Sequence, residues 1–238
     1  MGGDERMNFL FWHEFEDAEQ VAAHVSDFVG RAIAARLEKD GKAAIAVSGG
    51  TTPIRFFQML SGYDLDWSRV TITLVDDRWV PEASSRSNAK LVRMYLLRRE
   101  AAAATFLPLV TGDETPEAGA DKVETAVAAL HLPFAAVVLG LGKDGHTASL
   151  FPGGDRLAQA LAPQTGRHVE TMHAEAAVEP RVTLTLPVLL AADVIAIHIE
   201  GARKRAVLEA AMAPGPVEEM PIRAVLAREP APDIFWCP

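Results

Sequence analysis

Gly140, Gly142 and Gly145 space out three side chains that could do chemistry together: Lys143, Asp144 and His146. An imidazole with an ordinary pKa of about 6.5 keeps a large neutral fraction near neutral pH, so His146 could serve as a general base. A carboxylate two residues before it could orient the ring or steady the imidazolium, and the ammonium could attract an anion. The loop follows Val137 and Val138, a short β-branched run that reads as a buried strand. In an open α/β sheet, ligands gather at the carboxyl ends of strands, which is where this loop would sit.

Three further polar clusters follow apolar runs in the same way. Residues 43–47 read as a buried strand and lead into Ser48-Gly49-Gly50-Thr51-Thr52-Pro53, whose proline suits a first helical turn. Two glycines and three hydroxyls ahead of a helix N-terminus can offer unpaired N–H donors to a phosphate or an oxyanion. Residues 70–75, almost all β-branched, end in Asp76-Asp77-Arg78, with Arg86 and Arg93 close behind. Residues 194–199 end in Glu200-Gly201-Ala202-Arg203-Lys204-Arg205, and cations in a first helical turn oppose the helix dipole unless an anion binds there. The ligand these clusters share should be small, anionic and rich in oxygen.

Three other readings of the same residues are weaker. Residues 140–145 spell G-x-G-x-x-G, but a dinucleotide site needs a helix of several turns after the third glycine, and Pro152-Gly153-Gly154 cut it short. Residues 46–50 nearly spell a nucleophile elbow around Ser48. A serine triad takes its acid from a separate loop, so Asp144 is poorly placed to orient His146 in that role. As metal ligands, Asp144 and His146 lack a third partner at recognisable spacing.

Around these clusters the chain alternates strands with helices. A short strand is expected at residues 8–11 and a scaffold helix at 17–37, opened by Asp17 and Gln20 as a capping box and lined by Val21, Val25, Phe28, Val29 and Ile33. His24, beside that stripe, reads as a packing residue. Ser87 and Asn88 cap a helix through residue 97. A strand at 106–110, a helix at 120–130, a strand at 181–186, a short helix at 187–192 and closing apolar segments at 222–226 and 234–236 complete the pattern. Residues 155–180 show no sustained period and read as a lid or a small excursion. Such alternation gives an α/β fold with the four polar loops at one edge of an open, mostly parallel sheet and helices on both faces.

With 238 residues and 49% hydrophobic composition, the chain can bury one large core, and a single domain is expected. Its 23 basic and 32 acidic residues leave a net charge of −9, which argues against nucleic acid as a partner. Any anionic ligand must then be held by local cations. A lone Cys237 excludes an internal disulfide framework and a cysteine-built metal site. No secretory pattern opens the sequence and no run of 18 apolar residues occurs, so a cytoplasmic protein without a membrane partner is expected. Nothing in the sequence sets an oligomeric state.

These segments also carry a resemblance. SGGTTP at 48–53, DDRWVP at 76–81, SN at 87–88, LGLGKDGHTASLFPG at 139–153, RVTLTLP at 181–187 and GARK at 201–204 resemble the 6-phosphogluconolactonase family, in its order and over nearly the whole chain. The resemblance implies a Rossmann-like sheet shared with sugar-phosphate isomerases and deaminases. It also implies hydrolysis of 6-phosphogluconolactone to 6-phosphogluconate, in the pentose phosphate pathway, with no metal or other cofactor. A lactone carbonyl is already activated, so one general base acting on water suffices. His146 would be that base and Asp144 its partner. Gly49 and Gly50, with Ser48 and Thr51 beside them, would receive the oxyanion or phosphate, and Arg78 and Lys204 would hold the phosphate. Asp76, Lys143 and Arg181 complete the expected substrate site. Asp77 departs from the family, which usually carries glutamate there, and no catalytic role is expected of it. Glucosamine-6-phosphate deaminase is the nearest competitor, but its pattern has glutamate where this chain has Phe151 and tyrosine where it has Arg78. A sugar-phosphate-sensing domain on the same fold would bind without turnover, and has no need for a base aimed at water.

Overall fold

The computed structural model describes residues 11–238 and builds the apolar runs into one seven-stranded sheet. Its strands are β1 (Phe11–Glu14), β2 (Ala43–Val47), β3 (Val70–Leu74), β5 (Thr105–Leu107), β6 (Ala136–Leu139), β9 (Val194–Glu200) and β10 (Asp233–Cys237). They lie in the order β1-β10-β9-β6-β2-β3-β5, and every neighbouring pair is parallel. The strand expected at 8–11 lies, except for Phe11, outside the described residues. Every residue of β2 and β6 is buried, as strands covered on both faces must be, which is why their sequences are continuous apolar runs.

The strand order also places the site. From β2 the chain moves outward through β3 to β5, then returns to β6 on the other side of β2 and continues to β9 and β10. The loops leaving β2 and β6 therefore diverge at the point where the strand order reverses, and such a crevice is where open α/β sheets bind ligands.

Helix α1 (Ala18–Asp40) opens with Asp17, whose side chain accepts the Gln20 N–H, and closes at Gly41 in the left-handed conformation, φ +77°. Val21, Val25, Val29 and Ile33 are fully buried, and α1 packs on α2 (Pro53–Leu60) and across β2, β6, β9 and β10. Its His24 rests on Phe15 and contacts the Gln20 carbonyl, in keeping with a packing role. Helix α3 (Asn88–Tyr95) starts at the Ser87 cap, and α4 (Pro116–Ala128) begins four residues ahead of expectation, because Thr115 caps it and Pro116 takes its first turn.

The sheet edge departs from expectation in one respect. Asp76, Asp77 and Arg78 form a short strand, β4 (Asp76–Arg78), instead of a loop. It pairs antiparallel with β8 (Arg181–Leu184), which pairs antiparallel with β7 (Val169–Met172). The RVTLTL segment thus belongs to a second, three-stranded sheet. The stretch 155–180, unreadable by period, contributes α5 (Leu157–Leu161) and β7 to that layer. The chain then runs through α6 (Leu186–Leu190), β9, α7 (Ala202–Met212) and α8 (Ile222–Leu226) into β10.

Candidate active site

A cavity of about 420 Å³ lies over the carboxyl ends of β2, β6 and β9 and against the second sheet. Its lining includes Ser48, Gly49, Gly50, Thr51, Asp76, Arg78, Lys143, His146, Arg181 and Lys204. Of the residues expected to act on or hold the substrate, all but Asp144 therefore line one pocket, and Asp144 touches it through His146.

No helix follows the β6 loop: a single bridge joins Thr147 to Leu150 and the next helix is α5, so the dinucleotide pattern has no helix N-terminus to aim at pyrophosphate. The loop folds back on itself, with Gly142 N–H donating to the His146 carbonyl at 2.7 Å and the Thr147 hydroxyl to the Gly140 carbonyl at 2.8 Å. Gly145 takes φ +81°, a conformation that favours glycine. The fold-back sets Asp144 Oδ1 2.5 Å from His146 Nδ1, and Oδ1 also accepts the His146 N–H at 3.2 Å. Proximity in sequence is therefore no obstacle to the acid orienting the histidine, contrary to the expectation from triad geometry. Burial tends to raise the Asp144 carboxyl, but the hydrogen bond and charge of His146 outweigh it and hold its pKa below the ordinary value. With Nδ1 engaged, Nε2 is left for a ligand or water. The other face of the ring rests on Phe151, ring centres 4.2 Å apart. Ser48 makes no hydrogen bond to His146; its backbone N–H continues the sheet by donating to Val138.

On the opposite wall, Ser48 to Thr52 precede α2. Gly50 has φ +96°, and among the described residues no group accepts the N–H of Gly49, Gly50, Thr51 or Thr52. Gly49 cannot carry a side chain, because a Cβ there would stand 1.9 Å from Asn88 Oδ1. Asn88, which sequence reasoning took only for a cap, lines the pocket. Its amide donates to the Asp76 carbonyl at 2.9 Å, and its Oδ1 accepts from Arg78 Nη1 at 3.2 Å. Arg78 Nη1 also donates to the Arg86 carbonyl at 2.8 Å, while its Nε is buried and unpartnered.

Asp76 and Asp77 point opposite ways, as neighbours on a strand must. Asp76 faces the site, accepting from the Ser149 hydroxyl at 2.5 Å, with Arg181 Nη1 3.8 Å away. Arg181 lies over the Phe151 ring, and its own Nε is buried without a partner. Burial lowers its pKa, against the raising effect of Asp76. Asp77 is fully buried and accepts the backbone N–H groups of Arg78, Asn88 and Ala89 at 2.8, 2.8 and 3.1 Å, tying β4 to the start of α3. Burial pushes its carboxyl up to about 6, although these hydrogen bonds oppose the shift.

Lys204, on the first turn of α7, donates to the Leu141 carbonyl, and its pKa is lowered by burial and by the charge of Lys143. The basic cluster expected around it is only partly a site. Arg205 turns away to Glu14 and Glu209 and stacks on Trp12 and Trp236. Arg86 and Arg93, expected at the ligand edge, are likewise engaged elsewhere, with Glu179 and Glu82 at 2.6 Å each. The pocket also contains His198, which the sequence reading passed over, and Glu200, which it placed in a polar loop without a role, both on β9. Among the described residues, no three His, Cys, Asp or Glu side chains are grouped to hold a metal ion, and no helix is long and apolar enough to cross a membrane.

Residues 16–236 match the family described as glucosamine-6-phosphate isomerases/6-phosphogluconolactonase. A 6-phosphogluconolactonase of Rhizobium meliloti is 50% identical over 95% of this chain and 98% of its own. One of Mesorhizobium japonicum is 47% identical over 95% of each chain. The crystal structure of a 6-phosphogluconolactonase from Shewanella baltica superposes with a TM-score of 0.93 at 36% identity, covering 96% of this chain and 98% of that one. The chain has the α/β architecture of these proteins, and it belongs to the glucosamine-6-phosphate isomerase/6-phosphogluconolactonase family.

Proposed function

We propose that this protein hydrolyses 6-phosphogluconolactone to 6-phosphogluconate, with His146 activating the attacking water. The observation that carries the mechanism is the 2.5 Å contact between Asp144 Oδ1 and His146 Nδ1, which leaves Nε2 as the free end of an oriented imidazole. Nε2 takes a proton as the water oxygen attacks the lactone carbonyl. The carbonyl oxygen becomes an oxyanion, for which the unpaired N–H groups of Gly49 and Gly50 are suited donors. As the intermediate collapses, the acyl–oxygen bond of the ring breaks and the departing alkoxide takes the proton back from the imidazolium. The ring opens to a carboxylic acid, which releases its remaining proton to solvent and leaves the product as a carboxylate.

Asp144 stabilises the imidazolium during this cycle, and its lowered pKa keeps it an anion where the base must work. Arg78, Arg181 and Lys204 supply the positive charge that a phosphate needs in a chain of net charge −9. The relatives named 6-phosphogluconolactonase support this substrate. Deamination is disfavoured because the ring packed on His146 is Phe151, where the deaminase pattern has a carboxylate.

The test is hydrolysis of freshly generated 6-phosphogluconolactone, measured against its spontaneous rate with and without a chelator. Catalysis insensitive to chelator is expected, together with no ammonia release from glucosamine 6-phosphate. Chelator-sensitive turnover would overturn the metal-free route. Product binding without turnover would favour a sensor, and ammonia release at a comparable rate would favour the deaminase.

A further inference from the structure

His198 and Glu200 are successive residues on one face of β9, where an alternating strand turns both toward α2. His198 sits under the pocket with its side chain 2% exposed and its ring edge-on to Phe56. Neither of its ring nitrogens has a hydrogen-bond partner, and neither has Glu200 Oε1, although all three atoms are buried. Nε2 and Oε1 stand 3.6 Å apart, too far for a hydrogen bond between them. Both residues line the cavity that holds His146 and Lys204. Buried polar atoms are almost always satisfied, so a pair left open beside a binding pocket points to a missing partner.

The chemistry of the pair restricts that partner. In the tautomer that protonates Nε2, the imidazole offers a donor and the carboxylate an acceptor. One hydroxyl oxygen can serve both, accepting from Nε2 and donating to Oε1, and a 3.6 Å separation allows it about 2.8 Å from each. A phosphate dianion cannot do this, since it has no proton to give and a carboxylate repels it. We infer that Glu200 and His198 are specificity-determining residues that together read one hydroxyl of the substrate's sugar chain. This rests on the phosphorylated lactone being the substrate. It assigns the β9 wall to the polyol and leaves the phosphate to the arginine and lysine side chains elsewhere in the pocket.

The experiment combines turnover of 6-phosphogluconolactone with binding of 6-phosphogluconate and its 2-, 3- and 4-deoxy analogues, in wild type, Glu200→Gln, His198→Phe and His198→Gln. Wild type should bind one deoxy analogue roughly 10- to 100-fold more weakly than the parent, the range for a hydrogen bond to a charged group. Glu200→Gln should weaken the parent by a similar factor, with the loss mainly in KM, and should no longer distinguish the parent from that analogue. His198→Phe should do the same, and His198→Gln, which retains a donor, should recover part of the discrimination. Undiminished discrimination in folded Glu200→Gln, or tighter binding of the parent, would overturn the inference while wild-type turnover left the proposed function standing. Wild type that neither turns over the lactone nor binds the product would overturn both.

Discussion

Gly142→Ala is the sharpest test of the geometry around His146. A Cβ at this position would lie 2.1 Å from His146 Nδ1, 2.2 Å from its Cε1 and 2.6 Å from Asp144 Oδ1. Carbon atoms in contact prefer about 3.5 Å, so the ring must move by about 1 Å or more. Phe151, 4.2 Å away between ring centres, limits retreat on the other face, and the 2.5 Å bond to Asp144 cannot follow the ring. The backbone is not the obstacle, since Gly142 is not among the glycines with positive φ. The fold and the phosphate contacts should therefore survive while the base is misplaced. A displacement of that size can cost about 10²-fold in rate, equivalent to about 2.7 kcal/mol of barrier. The assay is kcat for 6-phosphogluconolactone beside the Kd for 6-phosphogluconate and the melting temperature, with Gly112→Ala as control because a Cβ there meets nothing within 4 Å. A folded Gly142→Ala enzyme that kept its rate within a few-fold would refute the assignment of catalysis to an Asp144-oriented imidazole.

Three other outcomes are expected. His146→Ala should lose 10² to 10⁴-fold in rate, on the order of a missing general base, while retaining product binding; a loss as large in Ser48→Ala would revive a serine nucleophile. Arg78→Met should reduce kcat/KM for 6-phosphogluconolactone by roughly 10- to 100-fold and barely affect unphosphorylated gluconolactone. Equal losses on both substrates would assign Arg78 to holding Asn88 and the Arg86 carbonyl alone. Asp77, with a pKa of about 6 in the fold against 3.8 ordinarily, contributes stability that is complete below about pH 3.8 and lost as pH rises through 6, on the order of 3 kcal/mol. Urea titrations across that window should show a flatter pH dependence for Asp77→Asn than for wild type, and parallel curves would contradict the buried-carboxylate account.

The sequence made the main sheet legible because strands covered on both faces leave unmixed apolar runs, as in AAIAV of β2 and AVVL of β6. It made the loops legible because glycines and charges at the end of such a run have no packing purpose. The second sheet was hidden for the converse reason. Asp76-Asp77-Arg78 has no strand propensity, and its extended form comes from pairing with Arg181 to Thr183, more than a hundred residues away. Asn88 was half legible, since Ser87 already filled the cap and a second polar residue, buried to 3% exposure, was surplus to that role. His198 had a signal that went unread, an imidazole flanked by Ile197 and Ile199 within a strand run that is buried on both faces. Arg86, Arg93 and Arg205 misled because a sequence shows charge without showing which carboxylate or ring already claims it.

The two halves of the candidate site belong to different sheets, so on the proposed mechanism their docking sets the geometry of catalysis. His146 and Lys204 follow β6 and β9 of the parallel sheet, whereas Asp76, Arg78 and Arg181 ride on the antiparallel one. The link is short: Val75 N–H continues the large sheet by donating to Val47, while its carbonyl accepts from Leu184 of the small one at 2.8 Å. Ser149 adds a second tie, its hydroxyl to Asp76 and its N–H to Thr183 Oγ1 at 3.3 Å, and Phe151 packs between His146 and Arg181. Loosening these ties would move Arg78 and Arg181 relative to His146 without touching either wall. On the proposed mechanism, holding the phosphate and positioning the lactone carbonyl over Nε2 are therefore coupled through the residues that join the sheets, among them the fully buried Thr183 and Ser149.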